Sequence, residues 1–406
     1  MLPEVTQFED VVKLVSDTGI QFMDFAFRQD QITSPNGAFT LIDGDVLCRL
    51  QVHTDESYFY DIDHEKRQKA EPDFWLPISK SLALLDGLWL PLPFFRYMPP
   101  YTFDQGPSNW ARMRFVKLAE PDIDGNTYRL TLALDTRVIR KKEGMAYMAP
   151  NDEDVSSGVS FRVASKLAQM RWFQDLPWVK EWLLEAFRDA SVRVDRDLLQ
   201  DQEDEKHPQA HYLNLLSLLE RVEQIGPNPA QPVIVMPELT VIANGAKSQT
   251  KPIPVDLILD VGNSRTCGIL IENQGVDRMG LKNNYVLELR DLLAPEHVYN
   301  QPFESRVEFS KTSFGKDHFS SKSGRHDAFQ WPTIARVGNE AGRLASLRRG
   351  TEGSTGLSSP KRYLWDENAY EHGWRFNNSY IKNDSEPPAT AAPFSHLINN
   401  LGEALY

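Results

Sequence analysis

Asp260, Gly262, Ser264 and Thr266 stand at alternate positions in Val255-Asp-Leu-Ile-Leu-Asp260-Val-Gly262-Asn-Ser264-Arg-Thr266-Cys267-Gly-Ile-Leu-Ile-Glu272. An apolar run on each side of an Asp-x-Gly-x-Ser-x-Thr core predicts a tight β-hairpin with a polar tip. Gly262 lets the backbone turn without a Cβ. Successive N–H groups over Gly262, Asn263, Ser264 and Arg265 can then converge on one anion, as in a backbone nest. The Ser264 and Thr266 hydroxyls add donors. Asp260, ending the first strand, stands where a hydrated Mg2+ would sit, because that ion takes one or two carboxylates together with phosphate oxygens. This spacing suits the binding of a phosphate chain and its magnesium. The plain alternative is an ordinary hairpin with a polar tip.

The elements around this segment fall into two blocks. Residues 20–136 alternate apolar and polar positions, as in 21–27, and Asp43-Gly44 centres a hairpin over 38–52. Two further runs, 112–118 and 127–134, flank Pro121-Asp-Ile-Asp-Gly-Asn126. That hexapeptide lacks the twelve-residue frame and terminal Glu of a calcium loop, and predicts a plain turn. Helical spacing appears at 159–170, 177–189 and 210–224. Leu213, Leu216, Leu219 and Val222 make the core stripe of the last of these, which Gly226-Pro227 ends. The acidic run 201–205 predicts a solvated loop. Prolines from Pro227 to Pro254, with Gly245 and Ser248 among them, punctuate the chain beyond the last helix. A linker is expected at 246–252, between an α+β N-terminal region over 1–245 and an α/β lobe over 253–406.

Composition narrows the function. The chain has 406 residues, 41% of them hydrophobic, and a net charge of −13. That charge argues against a dedicated nucleic-acid binder, which needs a Lys/Arg excess, and against electrostatic docking on an anionic membrane. Two cysteines, Cys48 and Cys267, make no disulfide framework and fit a reducing compartment. The first residues carry acid before the first base, Lys13, with no apolar run, so no secretory signal is expected. The most apolar stretch, 81–95, is broken by Asp86, Gly87, Pro91 and Pro93 and is too short to span a bilayer. A cytoplasmic protein without membrane insertion is expected. His207 and His211 have the spacing of two zinc ligands on a helix, but Pro208 lies between them and the Glu of a metalloprotease helix is missing. Cys48 lies in a strand-like run and reads as core filling. Phe314-Gly315-Lys316-Asp317 has neither the glycine spacing nor the hydroxyl of a P-loop.

The hairpin resembles the first phosphate-binding motif of the actin/Hsp70/hexokinase superfamily, in its Hsp70 form. Asp260, Gly262, Ser264, Thr266 and Cys267 match that form, whereas Asn263 stands for its threonine and Arg265 for its asparagine. Later elements come in a similar order. Residues 302–309 look like the strand after the hairpin, and Val337-Gly338 precedes a short Ala-containing helix. Ser358-Ser-Pro-Lys361-Arg362-Tyr-Leu-Trp365 falls where Hsp70 proteins carry Lys-Arg before an apolar pair. The resemblance implies that Gly262 to Thr266 hold the β/γ-phosphates of ATP and that Asp260 orients Mg2+ through water. It also implies that Lys361 reaches the γ-phosphate and the attacking water, a mainly electrostatic and positional catalysis. Neither ATP nor Mg2+ is expected to be needed for folding.

A closer resemblance, carried by 260–272, 323–338 and 348–367, is to the SrfB family of bacterial virulence-associated proteins, often encoded beside SrfA- and SrfC-type partners. It covers the whole chain more diffusely, as that family's N-terminal portion. It implies a link with virulence and SrfA/SrfC-type proteins as partners, without a defined reaction. A second Asp-x-Gly hairpin and an adenosine-binding Gly-Gly turn, carried by the superfamily's second lobe, are not read after Asp256. The expected fold is therefore α+β, then an incomplete α/β lobe of the actin/Hsp70-like ATPase type, cut within a helix at 396–406. An exposed apolar face along 255–272 or 394–406 would receive the missing C-terminal lobe. By itself this chain is expected to bind ATP no better than millimolar, roughly −4 kcal/mol. Two functions are compatible with these residues. One is an ATPase-type nucleotide-binding module in the full-length protein. The other is a non-catalytic interaction or scaffold protein of a virulence system with a degenerate ATPase-like fold. Export to a host cell is compatible with either.

Overall fold

The computed structural model describes residues 11–32, 38–42, 46–52, 59–61, 66–68, 74–97, 107–139, 149–164, 166–194, 206–219, 233–244, 254–272, 284–316, 328–347 and 356–363. They divide between an N-terminal unit, Pro3–Ser248 with Phe314–Phe329, and a C-terminal unit, mainly Gln249–Ser313 and Gln330–Tyr406.

The N-terminal unit is built on sheets. Ile20–Phe27, Tyr128–Asp135, Ala111–Lys117 and Trp89–Pro91 lie side by side in that order, all antiparallel. Leu130, Leu132, Leu134, Met113 and Phe115 from the two central strands are buried. The turn joining those strands is closed by the Asp122 carboxylate, which accepts the N–H of Asp124 at 3.0 Å and of Asn126 at 2.8 Å. A second sheet runs Val11–Val15, Glu238–Ile242, Ser160–Val163, Phe94–Tyr97, with its first pair parallel. A five-stranded antiparallel sheet contains the Ala38–Ile42 and Val46–Val52 hairpin expected around Asp43-Gly44.

Periodicity misleads in two places. Residues 78–84, inside the strand-like block, form the helix Ile78–Leu84, which buries Ile78, Ser81, Leu82 and Leu84. Residues 159–170 do not form one helix: Ser160–Val163 is a strand with Phe161 and Val163 inward, and a helix starts only at Leu167–Gln174. The other α-helices among the described residues of this unit are Pro177–Val194 and Lys206–Ser217, with Asp152–Ser157 in addition. Leu213, Leu216 and Leu219 are buried as the stripe requires. Val222, Gly226-Pro227, the acidic run 201–205 and residues 394–406 lie outside the described residues.

The expected unbroken run from 253 to 406 is interrupted, because Phe314–Phe329 belongs to the N-terminal unit. The reason is a buried aromatic and cationic seat. The Phe314 ring packs 5.8 Å from Phe22 and 5.5 Å from Trp89. The Arg112 guanidinium lies 3.8 Å from the Phe329 ring and 4.6 Å from Trp182, and donates to the Phe314 carbonyl. Asp135 accepts the Phe329 N–H at 2.8 Å, and Lys316 pairs with Glu185 and Asp189 at 2.5 and 3.2 Å. Gly315 has φ +111°, and a Cβ there would stand 2.3 Å from the Trp182 ring. Only glycine fits.

In the C-terminal unit, Val255–Val261 pairs with Arg265–Glu272, which also pairs with Asn284–Val286 and, near its start, with Phe303–Glu304. Arg306–Phe309 lies between Ala335–Val337 and Gly356–Ser358. The helix Gly338–Leu347 begins directly after Val337 and buries Glu340, Ala341 and Leu344. Among its described residues the unit thus mixes small antiparallel sheets with one α-helix and the short 3-10 helix Pro360–Tyr363.

Candidate functional site

The hairpin sets Val255 opposite Glu272, Asp260 opposite Cys267 and Val261 opposite Thr266. Its turn is closed by the Gly262 N–H, which donates to the Arg265 carbonyl at 3.0 Å. A Cβ on residue 262 would lie 2.5 Å from that carbonyl oxygen, so the turn needs glycine for space. Thr266 is buried, and its hydroxyl lies 2.8 Å from the Ser305 hydroxyl. Ser305 donates to the Gly262 carbonyl at 2.7 Å. A serine hydroxyl has one proton to give, so Thr266 is the donor between the two side chains. The Ser305 N–H also donates to the Ser264 carbonyl at 3.0 Å.

Lys361, although far along the chain, donates from Nζ to the Val261 carbonyl at 2.9 Å. It rises from the 3-10 helix Pro360–Tyr363, directly after Ser359, whose φ of +55° is left-handed for a residue with a side chain. The Ser359 N–H donates to the Ser305 carbonyl at 2.7 Å. Asp260, Gly262, Asn263, Ser264, Arg265, Thr266 and Lys361, all singled out from sequence, therefore surround one turn. Their roles separate. The Gly262 N–H and Thr266 hydroxyl are engaged within the protein and shape the turn. Asp260, Asn263, Ser264, Arg265 and Lys361 are exposed, with Arg265 Nη1 donating to the Pro302 carbonyl at 2.9 Å. Two cations, a hydroxyl and an amide beside one carboxylate can meet an anion together with a hydrated divalent ion. Sequence reasoning misses Ser305 as a site residue: serine is common, and its partners lie about 40 and 55 positions away.

The first hairpin strand is exposed along its whole length, on the edge of its sheet. Val255, Leu257, Ile258, Leu259 and Val261 are 41–57% exposed, so the apolar face expected along 255–272 is present. An edge this apolar is a pairing surface unless something covers it.

A second polar cluster ties the helix Gly338–Leu347 to the chain before it. Asp291, fully buried, accepts the N–H groups of Leu293 and Ala294 at 2.9 and 2.8 Å and a bidentate pair from Arg343 at 2.7 and 2.8 Å. Glu340 accepts the N–H groups of Leu292 and Leu293 at 3.1 and 3.3 Å and hydrogen-bonds Asp291. Burial first, and then the Asp291 charge, push the Glu340 carboxyl up to about 8, while Arg336 opposes the shift. Glu340 is thus protonated at neutral pH.

The other sequence candidates sit elsewhere. His211 is buried with Nδ1 3.1 Å from the Ser81 hydroxyl, and burial, with His207 and Lys80 adding, lowers its pKa to about 3. That is a neutral core histidine. Cys48 is buried and Cys267 exposed. Among the described residues, no group of three or more His, Cys, Asp or Glu is placed to hold a metal. No described helix is long and apolar enough to cross a membrane.

Comparison with known proteins finds no match among curated proteins and none among solved structures. The family model described as virulence factor SrfB matches residues 1–406, and the chain belongs to that family.

Proposed function

We propose that this virulence-associated protein binds a nucleotide in the manner of actin and Hsp70, with the hairpin 255–272 as the first of its phosphate-binding elements. Asn263, Ser264 and Arg265 meet the β/γ-phosphates of ATP, Gly262 and Thr266 shape the turn, Asp260 orients Mg2+ through water, and Lys361 faces the γ-phosphate. The observation that supports this reading is the 2.9 Å bond from Lys361 Nζ to the Val261 carbonyl. A cation from a distant segment is held at the main chain of the residue that follows Asp260, where the strand enters the turn, and phosphoryl chemistry calls for positive charge so positioned. Isothermal titration of Mg-ATP into the wild type, Asp260→Ala and Lys361→Ala tests it. Wild-type binding that needs magnesium, lost or weakened at least tenfold in both variants, is expected. Equal, magnesium-independent binding by all three refutes the reading.

A second reading is favoured by the exposed apolar strand Val255–Val261. In it the chain is a non-catalytic scaffold of a virulence system, and that edge receives an SrfA- or SrfC-type partner. Co-purification with such partners, disrupted by Ile258→Lys but untouched by Asp260→Ala, separates the two.

A further inference from the structure

We infer that Ser305 is a positioning residue that couples the turn of the phosphate hairpin to the segment carrying Lys361. The inference rests on the proposed function for its consequence and on geometry for its substance. Every polar group of Ser305 is committed, and the commitments face two ways. Its hydroxyl donates to the Gly262 carbonyl at 2.7 Å and accepts from Thr266 at 2.8 Å. Its N–H donates to the Ser264 carbonyl at 3.0 Å, so three residues of the turn are held by one side chain and one amide. Its own carbonyl accepts the Ser359 N–H at 2.7 Å, two residues before Lys361.

Ser359 is in the left-handed region at φ +55°, a conformation that persists where surrounding bonds over-determine it. The Ser305 carbonyl is one of those bonds, and Lys361 returns to the Val261 carbonyl at 2.9 Å. The ring closes: turn to Ser305, Ser305 to Ser359, Lys361 back to the strand entering the turn. Ser305 is 7% exposed, so an unpaired carbonyl or hydroxyl left behind by its removal would find little water. An anion that reorganises the turn would move Lys361 through this ring, and a displaced Lys361 would loosen the turn.

Amide exchange measured by mass spectrometry on the full chain tests the coupling in the wild type, Ser305→Ala and Ser305→Thr. The amides of Gly262, Ser305 and Ser359 report the ring, and the helix Gly338–Leu347 serves as control. Loss of the hydroxyl should raise exchange about tenfold at Gly262 and at Ser359 together, leave the helix unchanged, and be reversed by threonine. A change at Gly262 alone overturns the coupling. So does no change, or an equal rise throughout the unit including the helix, which marks a merely structural serine. A second measurement adds millimolar Mg-ATP. Protection of the turn in the wild type, lost in Ser305→Ala, supports the coupling at the nucleotide site. If Mg-ATP protects nothing in the wild type, the nucleotide reading falls, and the coupling is decided by the first measurement.

Discussion

Replacing Glu340 by Gln should remove a pH dependence from the C-terminal unit while leaving its stability near pH 4, where the acid is neutral in both the folded and the unfolded chain, almost unchanged. A glutamine keeps the geometry that the neutral acid uses. Its carbonyl oxygen can accept from Leu292 and Leu293, and its amide can donate to Asp291, as the protonated carboxyl does. The charged groups that face Glu340 are Asp291, which raises its pKa, and Arg336, which lowers it. Arg343 is already engaged with both Asp291 oxygens, so it has little left to neutralise a second carboxylate. Tyr299 stays neutral, its pKa raised by burial and then by Asp291. A carboxyl whose folded pKa stands at about 8 against an ordinary 4.5 keeps its proton in the native state while the unfolded chain has lost it. The native state then binds more protons, and stability falls as pH rises through that window. Each pH unit is worth about 1.4 kcal/mol, so the wild type should lose about 2–3 kcal/mol relative to Glu340→Gln between pH 6 and pH 8. The assay is local opening of the helix Gly338–Leu347 by amide exchange, corrected for intrinsic rates, in both proteins across that range. Parallel curves would mean that Glu340 is already ionised at pH 6 and that the shared proton does not exist.

The remaining expectations are simpler. Gly315→Ala forces a Cβ to within 2.3 Å of the Trp182 ring at φ +111°, which should cost about 2–4 kcal/mol in urea unfolding monitored by tryptophan fluorescence. A loss below about 0.5 kcal/mol would remove Phe314–Phe329 from that seat. His211, neutral in the fold because burial, His207 and Lys80 lower its pKa to about 3, leaves the unfolded chain to take the proton first as pH falls below about 6.5. Thermal unfolding of the N-terminal unit should therefore move down by about 1.4 kcal/mol per unit below that pH. His211→Gln should flatten the slope, and an unchanged slope in the variant would assign the acid sensitivity to other groups.

The features legible in the sequence are local, and those that are not depend on partners remote in the chain. The hairpin around Gly262 can be read because two apolar strands, a glycine and the hydroxyl residues all fall within eighteen positions, and a turn this tight needs nothing from elsewhere to declare itself. The strand Ser160–Val163 is also legible in principle. Val159, Phe161 and Val163 alternate inward, and the misreading comes from extending the helical period of Leu167–Gln174 backwards across Lys166. Ile78–Leu84 is lost for the opposite reason, since a short helix buried on most sides has an apolar run like that of a buried strand. Ser305, Asp291 and Glu340 belong to another class. Each is an ordinary residue type whose meaning lies in donors and acceptors about 40 to 55 positions away. A buried polar group must find a partner somewhere, but composition and period do not say where. The same limit explains why Thr266 reads as a donor for a ligand. Its spacing is that of a phosphate-binding hydroxyl, and only the buried Ser305 opposite it reveals that the proton is already used. Spacing therefore locates the turn, and three-dimensional pairing divides its residues into those that build it and those whose side chains stay exposed.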